Sequence, residues 1–318
     1  MQYKIIGLLR RRHEYVSGEE IAERLKVSRQ ALWKHIQELK DAGFDIVAVP
    51  HLGYRLVSSP DRLFPFAVAQ GLRTEFVGKK IIYFDTVTST MDAALQLGIK
   101  GAAEGTIVLA ESQSKGKGRL GRAWLSPKYK GFYLSLLLRP KIMPNQAAIL
   151  TLVCGVSACE AIRESAGLSV QLKWPNDLLI ASKKAGGILT ELSAETDEIN
   201  FVVIGIGLNV NNERKSLPPQ ATSLREQKKE PLNRIGLLQE LLRKIEANYL
   251  AFQKKGPCPV LEKWREHSLT LGKRVKVYCN RAQIEGQAVD IDADGALLIR
   301  NDAGVTVKVY AGDVIHSR

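Results

Sequence analysis

The sequence predicts an α+β protein of three modules: an N-terminal winged helix-turn-helix, a central mixed α/β domain and a C-terminal SH3-like small β-barrel. The first module shows helix-capping residues and apolar residues at 3–4 spacing, which indicate helices. In the second module β-rich runs alternate with helical ones. The third module consists of short β runs separated by turns. A length of 318 residues is long for one domain. The predicted limits are 1–60, 64–270 and 271–318.

The first module begins with a short apolar helix over Tyr3–Arg12. Ser17-Gly-Glu-Glu20 is a capping box that starts a second helix. Ser28 caps a third helix, whose inward face carries apolar residues at 3–4 spacing: Ala31, Leu32, Ile36 and Leu39. Two strands, Phe44–Val49 and Tyr54–Val57, then flank a turn. This order of elements is typical of a winged helix-turn-helix.

The third helix is the predicted recognition helix. Its exposed face carries side chains that suit DNA: Ser28, Arg29, Gln30, Trp33, Lys34 and Gln37. Arg and Gln can contact purine edges, while Ser and Lys bind phosphates. The sequence therefore predicts operator DNA as a partner, with a dimer required for strong binding. The alternative is a winged helix used for protein contacts, or a helix face that is simply solvated.

The central domain alternates strands with helices. Six strands are predicted: Lys80–Phe84, Gly105–Ala110, Phe132–Arg139, Val170–Trp174, Gly187–Leu192 and Asn200–Ile206. Helices are predicted over Ser89–Leu97, Gln146–Ser165 and Leu232–Phe252. Asn211–Glu230 is polar and lacks clear periodicity, which favours an active-site loop or lid. In the third module we predict four β runs and no catalytic group: Arg274–Tyr278, Ala282–Asp290, Ala296–Ile299 and Val305–Tyr310.

Composition narrows the class of partner. A formal net charge of +13 favours an anionic one. The four cysteines form no C-x-x-C and the five histidines form no H-E-x-x-H, so neither disulfides nor a protein-ligated zinc are expected. No apolar run reaches the ~20 residues that a membrane helix needs, and the charge order at the N-terminus is wrong for a signal peptide. We expect a cytoplasmic protein without a membrane partner.

The most distinctive stretch is Gln113–Trp124, here called the basic loop. It holds three glycines and four cations, and the chain has no Asp or Glu from Ser112 to Cys159. Because glycine has no side chain, its backbone N–H group can approach a ligand closely, and together with the cations such groups favour the binding of an anion. Gly116, Gly118 and Gly121 spell G-x-G-x-x-G, but Pro127 and a β run follow, so no helix receives a pyrophosphate. A kinase loop would need H-R-D and D-F-G motifs, which are absent. The plain alternative is a mobile basic surface loop.

Three other stretches carry polar groups in unusual settings. Hydroxyls in Asp85–Asp92 can cap a helix or bind a polar ligand there. In Lys173-Trp-Pro-Asn-Asp177, Asp177 could hold Mg²⁺, and Lys184 further on could face a phosphate or carboxylate; an ordinary Asn-Asp turn is the alternative. Glycines within the apolar run Val203–Asn211 indicate close approach of a ligand or backbone, with Asn209 as a polar group beside it.

Taken together, in this order and spacing, the motifs Gly-Lys-Gly-Arg-Leu-Gly-Arg-Ala-Trp, Lys-Trp-Pro-Asn-Asp, Lys-Ala-Gly-Gly-Ile-Leu and Gly-Ile-Gly-Leu-Asn-Val-Asn resemble the biotin–protein ligase family. With its winged helix, the chain is similar to the bifunctional members that also act as biotin-responsive repressors. The resemblance implies that biotin and ATP, with Mg²⁺, form biotinyl-5′-AMP and pyrophosphate. Biotin then passes to a lysine of a carrier domain, typically of acetyl-CoA carboxylase. It also implies a homodimer when the adenylate is bound.

The resemblance also implies residue roles. The catalytic cations would be Lys184, Arg119 and Lys117. The biotin site would be formed by Ser89, Thr90, Met91, Gln113, Gly116, Lys117, Gly118, Arg119, Lys184 and Gly187. The ATP site would be formed by Arg122, Trp124, Lys173, Asn176, Asp177 and Asn209, with Asp177 also near Mg²⁺. No enzyme nucleophile is required, so catalysis would rest on positioning and charge stabilisation.

The chain departs from the family pattern at several positions. Lys117 and Leu120 stand where arginines are common, and Met91 stands where some members have Asn. An adenine-stacking Trp is absent from Ala221–Leu224, so Trp124 is the aromatic candidate to cover adenine. Two other functions stay open at this point: a transcription factor that senses a ligand without ligase activity, and a lipoate-type protein ligase.

Overall fold

A computed structural model describes residues 1–11, 14–279 and 282–316. The chain divides into two compact units, Met1–Arg62 and Leu63–Arg318. The first is helical with a small hairpin, and the second combines a mixed sheet, helices and an antiparallel sheet. The predicted α+β class and the order of its modules are confirmed, while the domain limits stay predictions.

The first unit contains three helices and a hairpin: α1 Gln2–Arg11, α2 Gly18–Leu25, α3 Arg29–Asp41, β1 Asp45–Val49 and β2 Gly53–Ser58. Ser17 and Ser28 cap α2 and α3 by accepting from the backbone N–H groups of Glu19 and Ala31. The apolar faces predicted from 3–4 spacing form the core, which includes Ile5, Ile21, Leu32, Ile36 and Leu39. Arg12, the last residue of the predicted first helix, lies outside the described residues.

The second unit is built on a seven-stranded sheet with the order β3-β4-β5-β9-β8-β7-β6. Its strands are β3 Ile81–Phe84, β4 Ile107–Ala110, β5 Phe132–Leu138, β6 Gln171–Lys173, β7 Asp177–Ile180, β8 Lys183–Ala194 and β9 Ile199–Leu208. Its helices are α4 Pro65–Ala69, α5 Thr90–Ile99, α6 Ala148–Ala166, α7 Leu224–Lys228, α8 Arg234–Lys255 and α9 Cys258–His267. Within this sheet β3 and β4 run parallel, and the other neighbouring pairs are antiparallel.

The largest apolar core includes residues from the sheet and from helices α6, α8 and α9, and a smaller one on α5 joins Met91 to Phe201 and Val203. Among the described residues one helical segment, Pro144–Ala166, has the length and mean hydropathy to cross a membrane. It packs as a core helix, with 72% of its most apolar window buried. Burial on this helix raises the pKa of the Cys154 and Cys159 thiols to about 12.

The C-terminal strands are β10 Arg274–Cys279, β11 Ala282–Ile291, β12 Leu297–Arg300, β13 Thr306–Val309 and β14 Asp313–His316, in the order β13-β12-β11-β10-β14. They belong to the second unit and share its core through Val275 and Val277. Trp174 also donates its indole N–H to the Gly295 carbonyl oxygen at 3.0 Å. The C-terminal sheet is therefore packed on the turn that holds Asn176 and Asp177.

Five elements were not predicted: α4, β7, α7, α9 and β14. The Pro-rich segment that ends α8 also starts α9, because proline is well tolerated in the first turn of a helix. Helix α8 begins at Arg234 rather than Leu232 because the Asn233 side chain caps it, accepting from the Gly236 N–H at 3.1 Å. The segment Asn211–Glu230, predicted to be an active-site loop or lid, contains the short helix α7 near its end.

Candidate active site

A cavity of about 620 Å³ opens in the second unit. It is bounded by the sheet, the basic loop, the Lys173–Asp177 turn, the segment before α7 and the C-terminal sheet. Its lining includes most of the residues that the sequence assigned to biotin and ATP: Thr90, Met91, Gln113, Lys117, Gly118, Arg119, Arg122, Trp124, Lys173, Asn176, Asp177, Lys184, Gly187 and Asn209. The fold thus brings together segments more than 200 residues apart in sequence, from Thr90 to Ile315.

One part of the cavity is lined by neutral hydrogen-bonding groups. Gln113 accepts at its Oε1 from the Thr90 N–H and hydroxyl, at 2.8 and 3.0 Å. Its Nε2 donates to the Ser126 hydroxyl at 3.1 Å, which fixes the orientation of the amide. The Ser135 hydroxyl, fully buried, donates to Thr90 Oγ1 at 2.9 Å. This network pre-orients donors and acceptors for a neutral polar ligand group.

Two predicted biotin residues, Ser89 and Gly116, are not among the cavity-lining residues of the described chain. Ser89 is buried as the N-cap of α5. At position 116 the conformation of the basic loop itself requires a glycine, since a Cβ there would lie 2.5 Å from the Trp124 carbonyl oxygen. For both residues, local backbone structure explains the amino acid. Met91 does line the cavity, but it also fills the space above Gly205, whose Cβ would lie 2.6 Å from its sulfur.

The basic loop is folded over the cavity, with its tip at Leu120 in a left-handed backbone conformation. Leu120 itself is 73% exposed, so the side chain that replaces a family arginine points into solvent at this tip. Lys117 forms a short ion pair with Asp92 in the first turn of α5. This hydrogen bond raises the pKa of the Lys117 ammonium, which therefore stays charged at neutral pH.

Arg119 and Arg122 connect the basic loop to the C-terminal sheet. Arg119 donates to Asn176 Oδ1 at 3.2 Å and to the Gly312 carbonyl oxygen at 3.1 Å, and it lies 3.9 Å from the Asp313 carboxylate. Arg122 forms an ion pair with the same carboxylate. The C-terminal module, in which no catalytic group was predicted, therefore contributes to the cavity lining through Asp313 and Tyr278. No local motif marks Asp313, so only the packing of the module reveals it.

Lys184 and Lys173 bring two more cations to the cavity. Lys184 Nζ lies 2.6 Å from Asp177 Oδ1 and 5.6 Å from the centre of the Trp124 ring. Lys173 is half-buried, and burial lowers the pKa of its ammonium, with the nearby cations Lys184 and Arg122 acting in the same direction. Cations at several points around one cavity indicate a ligand with more than one negative charge.

Trp124 packs flat on glycines of two strands. A Cβ on Gly207 would lie 2.5 Å from the indole ring, and one on Gly187 would lie 3.2 Å from it. The glycines in the apolar strands are thus explained by close approach of this ring. Its Nε1 is buried without a hydrogen-bond acceptor among the described residues, although an indole N–H usually finds a partner when buried. A hydrogen-bond acceptor on a ligand beside the ring would satisfy this N–H.

Asn209 lies at the end of β9, where the segment before α7 crosses the cavity. Its Nδ2 donates to the Thr222 carbonyl oxygen at 3.0 Å and its backbone N–H donates to the Ala185 carbonyl oxygen at 2.8 Å. The same segment lines the cavity through residues that the sequence did not single out: Leu217, Pro218, Gln220 and Ala221. The Asn209 side chain therefore fixes the segment before α7 against the end of β9.

In the first unit, α3 presents a polar, exposed face. Gln30 and Lys34 are exposed, Trp33 is 58% exposed, and Arg29 lies 3.1 Å from Glu19 in a pair open to solvent. Ser28, also predicted to touch DNA, caps the helix with its side chain.

Three family models match the chain: an HTH domain over residues 2–55, the biotin/lipoate A/B protein ligase family over 81–209 and the biotin protein ligase C-terminal domain over 270–317.

The chain is also 38% identical to the bifunctional ligase/repressor BirA of Bacillus subtilis, over 95% of this chain and 94% of that protein. The chain belongs to the bifunctional ligase/repressor family of biotin–protein ligases. Within the family, it is 33% identical to the BirA of Escherichia coli, over 99% of this chain and 96% of that protein. The family, the class of enzyme and the ligase/repressor type predicted from the sequence are confirmed.

Among solved structures, this family member is similar to a biotin protein ligase from Aquifex aeolicus in complex with biotin and ATP. The TM-score is 0.66 at 34% identity, and the match covers 76% of this chain and 99% of that one. The residue roles in this biotin–protein ligase stay predictions. The structure shows which of the assigned side chains share the cavity. It adds Asp313 and the segment before α7 to the lining, and it shows Asp92 as the ion-pair partner of Lys117.

Proposed function

We propose that the chain joins the carboxylate of biotin to ATP, giving biotinyl-5′-AMP and pyrophosphate, and then transfers biotin to a lysine of a carrier domain. The observation that carries this proposal is the position of the cations. Lys117, Arg119, Arg122, Lys173 and Lys184 line one cavity that continues into the neutral network around Gln113. The first step brings a carboxylate against a triphosphate, so the barrier is dominated by repulsion between anions.

The neutral network fits the uncharged ring system of biotin. Thr90 and Gln113 offer fixed hydrogen-bond groups, and Met91 adds an apolar wall. The aromatic face of Trp124 beside Lys184 suits the junction between the two substrates. Fixing both substrates in one cavity contributes through proximity, while the cations stabilise charge on the displaced pyrophosphate. Lys184 is the residue we assign to the acyl phosphate, with Arg119 and Lys117 closing over it.

The residues present allow a Mg²⁺ that arrives with the nucleotide. Mg²⁺ is usually held by one or two carboxylates together with substrate phosphates and water. In the described part of the chain no group of three or more His, Cys, Asp or Glu residues could hold a metal. Asp177 would be its protein ligand, and Lys184 would have to leave that carboxylate. The ion would neutralise phosphate charge.

In the second step a carrier lysine attacks the mixed anhydride and AMP leaves. No chain nucleophile is needed for this step. The Tyr133 phenol in the cavity lining is held in its neutral form, since burial raises its pKa well above its usual range. The carrier protein of acetyl-CoA carboxylase is the expected partner. A relative from Mycobacterium tuberculosis, 33% identical, is named as a biotin–acetyl-CoA-carboxylase ligase.

The test is to supply the purified chain with biotin, ATP and a carrier domain, and to measure pyrophosphate release and labelling of the carrier lysine. Lipoate is included as a competing acid. We expect biotin-dependent pyrophosphate release and biotinylation that excess lipoate does not suppress. Preferential transfer of lipoate would favour a lipoate-type ligase. Binding of biotin without pyrophosphate release would favour a sensor without ligase activity.

The second part of the proposal is repression through the first unit. The exposed face of α3, with Arg29, Gln30, Trp33 and Lys34, supports binding in a major groove. We expect the adenylate-bound chain to form a homodimer that binds two half-sites. Removal of residues 1–60 should abolish DNA binding in a mobility-shift assay. Persistent binding by the shortened chain would contradict the assignment.

A further inference from the structure

The two segments that cover the cavity, the basic loop and Asn211–Glu230, leave the fold at neighbouring points. Glu111 precedes the basic loop and Gly131 follows it. Asn211 starts the second segment, and Leu232 and Arg234 follow it. All these positions meet in one buried polar cluster beneath the cavity, which we call the loop-base cluster: Glu111, Gly131, Asn211, Leu232 and Arg234.

Arg234 is the centre of the loop-base cluster. Its Nη1 donates to Glu111 Oε2 at 2.8 Å and to the Gly131 carbonyl oxygen at 2.7 Å. Both charged side chains are fully buried, with 0% of each exposed. One guanidinium nitrogen thus joins Glu111, two residues before the basic loop, to Gly131, seven residues after it, which restrains the stretch that contains the loop.

Glu111 extends the cluster in another direction. Its Oε1 accepts from the backbone N–H of Leu63, the first residue of the second unit, at 2.7 Å. The carboxylate is therefore bonded on both oxygens, and any rotation of it would break a contact on each side. Its position at the end of β4 places these restraints directly before Gln113.

The side-chain amide of Asn211 links the start of the second segment to Leu232, just beyond its end. Asn211 Nδ2 donates to the Leu232 carbonyl oxygen and its Oδ1 accepts from the Leu232 N–H, each at 2.9 Å. The Asn211 N–H also donates to the Lys130 carbonyl oxygen at 2.6 Å, next to Gly131. The ends of the two covering segments are thus hydrogen-bonded to each other as well as across their own bases.

If its only role were to stabilise the fold, this buried charged cluster would be energetically unfavourable. A buried ion pair is often matched or exceeded in stability by apolar residues of similar volume. A cation in the first turn of a helix is also unfavourable to the helix dipole, and Arg234 is the first residue of α8. A fixed geometry at the base of the basic loop is a benefit that apolar packing would not supply.

We propose that Glu111 and Arg234 are positioning residues that hold the two covering segments in register over the bound adenylate. This inference rests on the proposed ligase function and deepens it. Neither side chain is among the cavity-lining residues of the described chain, so both act through the basic loop, which carries Lys117 and Arg119, and through the segment Asn211–Glu230. The expected signature is loss of adenylate retention rather than loss of fold.

The test compares the full chain with the double variant Glu111→Gln/Arg234→Gln, which removes both charges and leaves no lone buried ion. The half-life of bound biotinyl-5′-AMP is measured during a chase with unlabelled biotin and ATP, beside tryptic cleavage at Lys115. We expect the adenylate to leave the double variant roughly tenfold faster, about 1.4 kcal/mol, and the loop to be cut despite ligand. Arg234→Lys, which keeps a cation beside Glu111 but loses the guanidinium fork, gives the same test if the double variant folds poorly.

The matched control is Glu246→Gln on the same helix. Glu246 is 6% exposed and its carboxylate accepts from the N–H groups of Glu75, Phe76 and Val77, about 18 Å along α8 from Arg234. It should lower the melting temperature while the adenylate half-life stays at the parental value. Equal half-lives in the loop-base variants and the parent would overturn the inference. A parent chain that forms no adenylate would instead overturn the proposed ligase function.

Discussion

The recognition helix α3 and the basic loop are both cationic segments predicted to bind phosphate, but they hold their cations in different ways. On α3, Arg29 shares a solvent-exposed pair with Glu19, with each side chain more than 70% exposed. In the cavity, Lys117, Arg122 and Lys184 pair with Asp92, Asp313 and Asp177, which come from three separate elements. Exposed pairs are weak and exchange easily.

This difference has a chemical consequence. DNA phosphate can reach the α3 cations without removing an internal partner. A ligand of the cavity has to replace an acid at Lys117, Arg122 and Lys184, so a ligand with several well-placed negative charges is favoured over one with a single charge. The comparison predicts that substitutions in the cavity change chemistry and retention, while substitutions on α3 change only DNA affinity.

The largest effect is expected for Lys184→Ala. Removing the cation assigned to the acyl phosphate should lower the rate of biotin-dependent pyrophosphate release by about 10²–10³-fold, as for loss of a transition-state donor. The melting temperature should change little, because the Lys184–Asp177 pair is partly exposed. Lys183→Ala is the control, since alternation along β8 turns its side chain to the other face. A near-parental rate for Lys184→Ala would remove this residue from the chemistry.

Arg119→Gly should release the adenylate. It deletes the hydrogen bonds to Asn176 and Gly312 that close the basic loop. Dissociation of biotinyl-5′-AMP should accelerate roughly 10- to 100-fold, the range for charge-assisted hydrogen bonds, and lysines other than the carrier's should become labelled. Lys115→Gly removes a cation from the same loop outside the cavity lining and should retain the intermediate. Equal retention in both variants would contradict the closing role of Arg119.

Arg29→Ala should affect only the first unit. Specific DNA affinity should fall roughly tenfold, as for loss of one base contact, without a change in adenylation. Arg24→Ala on α2 removes an exposed cation that is paired with Glu20 and should have a smaller effect. Fluorescence anisotropy at several salt concentrations separates base contacts from phosphate contacts, because only the latter reduce the salt slope. A matching loss in both variants would indicate a general charge effect.

The smallest effect concerns pH. Burial lowers the pKa of Lys173, so this ammonium loses its proton at a lower pH than an exposed lysine. An anionic nucleotide favours the charged form, so ATP affinity should fall a few-fold as pH rises through that pKa, with proton uptake on binding at pH values near and above it. Calorimetry in two buffers of different ionisation enthalpy measures the uptake. Lys173→Arg, which stays protonated, should flatten the profile, and an unchanged profile would contradict the role.

The sequence predicted α3 well because its information is local. Ser28 caps the helix, and apolar residues at 3–4 spacing leave Arg29, Gln30 and Trp33 on the outer face. The central cavity was predicted in part, because the basic loop and the Lys173–Asp177 turn are distinctive motifs. The roles given to Ser89 and Gly116 came from resemblance, and the structure explains both residues by a helix cap and a tight loop.

Other parts of the site depend on packing between distant elements. Asp313 lies in a short terminal strand with no motif, and it meets Arg122 through the packing of the C-terminal sheet on the central domain, to which the Trp174–Gly295 hydrogen bond belongs. The loop-base cluster joins Glu111 to Arg234, 123 residues apart in sequence. Such pairings follow from sheet order and helix placement, which a local reading of propensity and spacing does not determine.

The most direct test of the account is to trap the intermediate on the chain. The full chain is incubated with ATP labelled at the α-phosphate and with either biotin or lipoate, and bound nucleotide is recovered after rapid gel filtration. We expect biotin to yield labelled biotinyl-5′-AMP held on the chain, and Lys184→Ala to form far less of it in the same time. Absence of a labelled adenylate with biotin, or equal amounts with lipoate, would contradict it.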